Sequence, residues 1–249
     1  MRGYSFVAWL GLIGVLLLPS LAHAQAISLD LGEDISGSTT ARMVQLIALI
    51  TVLSLAPSLL VMVTSFTRII IVLSMVRTAL GLQQSPPNQV MISLALFLTF
   101  FIMAPTFQKA WDNGIAPLVE EQITEQEAYD RTTLPFKQFM LRHVRDKDLQ
   151  LFIGMSGVKA PANPELIGLH ILTPAFMISE LRRAFEIGFL LFLPFLIIDM
   201  FVASTLMSMG MMMLPPVLIS LPFKIIFFVI IDGWYLLSES LVKSFGEGL

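Results

Sequence analysis

Residues 194–224 read PFLIIDMFVASTLMSMGMMMLPPVLISLPFK, two apolar runs joined at a methionine cluster and a Pro215-Pro216 break. Runs of this kind leave few folds open. A segment inside a bilayer must satisfy its own backbone polar groups, and a helix about 20 residues long does so. Composition agrees with that reading: 56% of the chain is hydrophobic and only 13% is charged. A soluble domain carries about 25% charged residues. The chain is therefore read as an α-helical membrane protein. Its formal net charge of −3 supplies no basic field for nucleic acid. Cysteine is absent, which excludes disulfides, thiol catalysis and thiolate metal sites.

Six of the 15 methionines fall between Met200 and Met213. Met209, Gly210, Met211, Met212 and Met213 are nearly contiguous. Methionine is unbranched, polarizable and cheap to deform. One reading is that these side chains fill gaps between packed helices. The other is a deformable constriction around something of variable shape.

Taken in order, residues 1–24 have the form of a cleavable signal peptide. Arg2 precedes a short apolar stretch from Val7 to Leu18, and Ala22-His23-Ala24 offers a cleavage site before Gln25. Residues 25–42 are polar. The first apolar helical hairpin is expected over 43–111. Its first run, 43–80, would be about 57 Å long as one helix, against a hydrocarbon core of about 30 Å. It must protrude or kink, and Pro57 is the expected kink. Arg68 and Arg77 are expected to point in opposite directions and to snorkel toward an interface. Ser85-Pro86-Pro87-Asn88 marks the turn.

Residues 112–172 are polar and can live in water. Acidic Glu120, Glu121, Glu125, Glu127 and Asp130 precede basic Lys137, Arg142, Arg145 and Lys147. Phe136, Phe139, Met140 and Val144 fall on one helical face, and Phe152 follows in a second apolar patch. These are local core or a surface for neighbouring subunits. Residues 173–238 form the second hairpin, with Pro174 suiting its start. Glu180 and Arg183, then Arg182 and Glu186, are spaced to pair along the helix. Asp199 and Asp232 lie equally far from Pro215-Pro216. Regular antiparallel arms would put both at one level, about 24 Å from the turn. Residues 239–249 read as a polar tail. There is no P-loop, HExxH or GxSxG motif. No two histidines have metal-ligand spacing. An enzyme reading has no residues to rest on, and no cofactor is implied.

PAFMISELRRAFEIGF (174–189), PFLIIDMFVASTLMSMGMMMLPP (194–216) and SFTRIIIVLSMVRTALGLQQSPPNQV (65–90) resemble the FliP family of flagellar type III export-gate proteins. The likeness runs from about Met43 to Trp234. It implies an all-α membrane protein with two long helical hairpins broken at Pro-Pro turns, a mainly helical polar middle segment, and a ring-like helical assembly. It implies a homopentamer joined by FliQ and FliR, with FlhA and FlhB nearby and FliO assisting assembly. Unfolded flagellar subunits would pass through it across the bacterial inner membrane, at the flagellar basal body. The mature N-terminus and the middle segment would be periplasmic. The pore gasket would fall to Met209, Met211, Met212 and Met213, with Gly210, Pro215 and Pro216 as hinge and turn. Phe139, Phe152, Glu180, Arg183, Asp199 and Asp232 are candidates for contacts with neighbouring subunits or partners.

Three rival readings differ in class. An injectisome subunit would share the pattern. A proton-coupled transporter of small solutes could use Asp199 and Asp232 as carriers. A membrane scaffold could use the same hairpins without a pore.

Overall fold

The structure, a computed structural model, describes residues 39–157, 161, 163–211 and 214–246. The expected signal peptide lies outside the described residues. The chain divides into two compact units, Met1–Leu49 and Ile50–Leu249. In the first, the described residues 39–49 are helical, and from Met43 onward they are exposed. The rest of the account concerns the second unit.

All regular structure among the described residues is helical. Helix α1 spans Thr39–Met62 and α2 spans Phe66–Ala79. The first apolar run is thus broken, but at residues 63–65 rather than at Pro57, where the backbone stays helical. Thr64 and Ser65 are buried there, and the Thr64 hydroxyl accepts from the Phe66 amide and donates to the Val61 carbonyl. Hydroxyl side chains compete with the helix ladder for backbone partners, and a break results.

Helix α3, Asn88–Ala110, continues through a π turn at Trp111–Ile115 into α4, Ala116–Val119. The polar stretch folds as α5, Glu125–His143, and α6, Asp146–Ser156, with a 3-10 turn at Pro164–Leu166. Thr124 caps α5 by accepting from the Glu127 amide. Helix α7 runs Leu169–Ser208, starting five residues before Pro174. Helices α8, Pro216–Ile230, and α9, Gly233–Lys243, follow with a 64° bend between them.

Among the described residues, two stretches are long and apolar enough to cross a membrane: Asn88–Val119, 32 residues, and Leu169–Ser208, 40 residues. A third span results if the bent α8–α9 pair counts as one. At 1.5 Å per residue α7 is about 60 Å long, twice the hydrocarbon thickness. Its ends must lie in headgroups, water or protein.

The core forms where α2 packs along α7, flanked by α3 and α5. Ile69, Val72, Leu73 and Val76 present the inner face of α2, and Leu172, Phe176 and Ala184 that of α7. Gly188 sets the approach of these two helices. A Cβ placed there would sit 2.2 Å from Met75 Sδ and 3.2 Å from its Cβ. Gly188→Ala pushes the thioether of Met75 aside and crowds its Cβ, and the gain in helix propensity offsets part of that, so a net loss of at most about 1 kcal/mol is expected. Adding Met75→Ala should return part of that loss. Thermal melting in detergent reads both, and a Gly188→Ala variant melting above the parent would disprove the close approach.

Helix α5 turns its apolar face into this core. Met140 is fully buried, and Phe139 is 7% exposed. Phe139 packs against Phe176 at 5.9 Å and Phe245 at 6.0 Å between ring centroids. Its side chain is thus internal to this chain, in line with local core, one of its two expected readings. Phe152 is half-buried at the edge of the same core. The expected polar tail is corrected. Leu241 and Phe245 are buried, so both side chains belong to the core.

Candidate functional site

The methionine cluster lies in the connector between α7 and α8. Met209 caps the end of α7, and Gly210 follows with φ +72°. The Gly210 amide donates to the Met207 carbonyl, and the Met211 amide donates to the Leu206 carbonyl. That pair of bonds, closed around a left-handed glycine, is the Schellman helix stop. At the far side Pro215 precedes α8 and Pro216 is its first residue, where a missing amide proton costs nothing. Gly210 therefore ends one helix and the prolines begin the next. Between them the chain is not helical at its described positions. Met209 is 67% exposed and Met211 41%. Met212 and Met213 lie outside the described residues.

Below the connector a partly buried ionic cluster ties the two arms. Lys224 of α8 donates to Asp199 Oδ2 of α7 at 2.6 Å and to the Ala79 carbonyl at the end of α2 at 3.0 Å. Ser220 donates to Asp199 Oδ1 at 2.5 Å. A lysine is well placed at the C-terminal end of a helix, where carbonyls lack partners. Asp199 stands nine residues before the end of α7, and Lys224 eight after the start of α8. The arms are thus in register about the whole connector, not about Pro215-Pro216. Asp232 lies eight residues beyond Lys224, exposed, at the α8–α9 bend with φ 51°. The shared level expected for Asp199 and Asp232 is wrong. Counting from the prolines ignored the non-helical residues on the α7 side. With one aspartate held by Lys224 and the two apart, a paired carrier has no geometry here. Lys224 was not singled out from sequence; a lone cation in an apolar run within helical reach of a carboxylate was the available signal.

A second anchor lies deeper. Arg68 of α2 and Glu180 of α7 are both fully buried. Arg68 Nε donates to Glu180 Oε2 at 2.8 Å, and Nη2 donates to Oε1. Nη1 donates to the carbonyl and the hydroxyl of Ser244, each at 3.0 Å. The guanidinium lies 3.7 Å above the Phe245 ring. Arg68 does not snorkel, and Glu180 pairs across the fold rather than with Arg183. Arg183 is exposed and makes no ion pair among the described residues. Arg182 does pair with Glu186, at 2.7 Å.

A third contact joins α6 to α7. Ser179 donates to Asp148 Oδ2 at 2.6 Å, and Arg145 Nε donates to the same oxygen at 2.9 Å. Burial pushes the Asp148 carboxyl up, but the bonds from Ser179 and Arg145 outweigh it, leaving the group below its ordinary value. A lowered carboxyl stabilises the fold above the ordinary carboxylate range, and the benefit drains away as pH falls through the lowered value.

Arranged this way, the chain offers an exposed, deformable methionine loop on a rigid, ionically pinned base. The profile of the FliP family matches residues 49–241. The flagellar biosynthetic protein FliP of Caulobacter vibrioides is 55% identical over 249 residues, all of this chain and 93% of the relative. The protein of that name from Agrobacterium fabrum is 51% identical over 96% of this chain and 99% of its own length. The one from Bacillus subtilis is 57% identical over 81% of this chain and 91% of its own length.

Proposed function

The chain belongs to the FliP family, membrane components of the flagellar export apparatus, and from that premise we propose that it lines the export pore, with its methionine connector as the seal. One observation carries the reading: Met209 and Met211 are exposed although apolar, on a loop with a built stop and a built start. A core filler would be buried. An exposed methionine loop can repack around each passing side chain and close when empty. An apolar constriction also excludes water and thus ions. Met212 and Met213 complete the seal in this proposal, with Gly210, Pro215 and Pro216 shaping the loop.

The rest of the surface supports assembly. Phe185, Phe189, Ile197, Met200 and Phe201 leave a long apolar face on α7 uncovered. A second copy, a partner helix or lipid must cover it. In this reading the chain forms a pentameric ring joined by FliQ and FliR in the bacterial inner membrane. FlhA and FlhB stand nearby, and FliO assists assembly. Residues 1–24 are removed as a signal, and the new N-terminus and residues 112–172 face the periplasm. Phe152, Glu180, Arg183, Asp199 and Asp232 keep their assembly roles, Glu180 and Asp199 by shaping the subunit rather than by touching its neighbour.

The chain has no cysteine, so single introduced residues can be addressed cleanly. A photo-reactive residue in place of Met211 should capture unfolded flagellar subunits during active export. The same residue at Val119, exposed at the end of a different helix, should not. Export at the normal rate with no capture at 211 would overturn the pore-lining role.

A further inference from the structure

Between α3 and α5 lies a small, largely enclosed cavity of about 60 Å³. That is ample for a few waters or one small oxyanion. Its polar wall comes from Thr106 and Lys109 of α3 and from Gln138, Arg142 and His143 of α5; Phe245 closes one side. Lys109 and Arg142 are exposed and make no ion pair among the described residues. Of the nearby carboxylates, one bonds to a wall residue and two are engaged elsewhere. Glu165, reached across the 3-10 turn, accepts from Gln138 at 2.9 Å. Asp112 of the π turn accepts from Gln108 at 3.1 Å. Glu180 of α7 is held by Arg68.

We propose that this cavity binds a phosphate group, with Lys109 and Arg142 as its cationic wall and His143 as a wall residue that joins them when protonated. Two exposed cations line one pocket, and an anion between them would be attracted by both. Backbone geometry adds a condition. His143 Nδ1 lies 2.8 Å from the Phe139 carbonyl, so the neutral ring carries its proton there and none on Nε2. Only the protonated ring offers Nε2 as a donor. Burial first, and then Arg68 of α2, Arg183 of α7 and Arg142 of α5, hold His143 below its ordinary value; the Phe139 carbonyl pulls the other way. A bound phosphate reverses that field, so anion binding and proton uptake by His143 are coupled. The site stands at the polar end of an apolar helix, and Phe97, Phe100 and Phe101 lie exposed farther down α3. A phospholipid headgroup and free phosphate share the chemistry that would be recognised.

The test uses the purified full chain in two arms. In one, inorganic phosphate is compared with chloride at matched ionic strength, and the melting temperature is read. In the other, nanodiscs of phosphatidylglycerol are compared with phosphatidylcholine, and retained lipid is counted by native mass spectrometry. Binding in either arm, weaker by about tenfold or more in Lys109→Gln with Arg142→Gln, is expected from the loss of charged hydrogen bonds. Arg131→Gln, paired with Glu127 elsewhere on α5, should bind as the parent does. Lys109→Arg with Arg142→Lys should retain binding. Binding should strengthen as pH falls through the histidine range, and His143→Gln should flatten that trend. Response to phosphatidylglycerol alone identifies a lipid, and response to inorganic phosphate a free anion. No response in either arm, or an equal response from the double glutamine variant, overturns the site.

Discussion

Arg68→Gln leaves the chain unable to hold its core, a loss of about 3–5 kcal/mol, the cost of stranding one partner of a buried ion pair. Total stability of a domain is about 5–15 kcal/mol, so that single change consumes much of it. Arg68 performs several tasks at once. It takes both oxygens of Glu180, the carbonyl and hydroxyl of Ser244, and the face of Phe245. Only a planar fork with five donors does this, so Arg68→Lys should also fall well short. Glu180→Gln keeps an acceptor but strands the guanidinium, and should behave like Arg68→Gln. Replacing both with leucine should recover part of the loss, because no charge is then left buried. Limited proteolysis of the detergent-solubilised chain by itself is the measurement, with no partner present. Such a design separates folding from assembly, since variants that only weaken subunit contacts would keep parental protease resistance. Resistance unchanged in Arg68→Gln would sink the clamp.

Alanine at Met209, Met211, Met212 and Met213 together should leave the yield of the assembled complex near normal and open the membrane to ions. The contrast with core methionines makes the test sharp. Met103 and Met140 are fully buried, and Met→Ala at such sites costs about 2–5 kcal/mol. Met140→Ala should therefore lose protein without a leak. The connector variant should leak without losing protein, because the exposed side chains at 209 and 211 hold no core together. Leucine has a similar volume but less freedom. A leucine variant should seal better than alanine and still slow export. Conductance of the membrane and recovery of the complex are read on the same cells. Normal recovery, no added conductance and parental export in the alanine variant would remove the seal from this loop.

Much of this protein was legible without coordinates because the relevant signals are local. An apolar run of membrane length can only be helical there. The glycine and double proline around the methionines mark a helix stop and start by their own backbone limits. Long, unusual motifs carried the family resemblance that the profile match then established. What stayed hidden was partner choice across the fold. Arg68 finds Glu180 at a separation of 112 residues, and Lys224 reaches the Ala79 carbonyl across 145. Residue spacing along one helix favoured Glu180 with Arg183, and those groups are indeed within reach. Burial decided otherwise, because α2 packs on the Glu180 face of α7 and leaves Arg183 in the open. The same applies to Phe139, whose apolar character was plain but whose neighbours were not, while Phe245 stood in what reads as a polar tail. Hydrophobic attraction has no direction, so a sequence announces that such a side chain will be covered. Only the arrangement of helices settles whether its own chain or another one covers it.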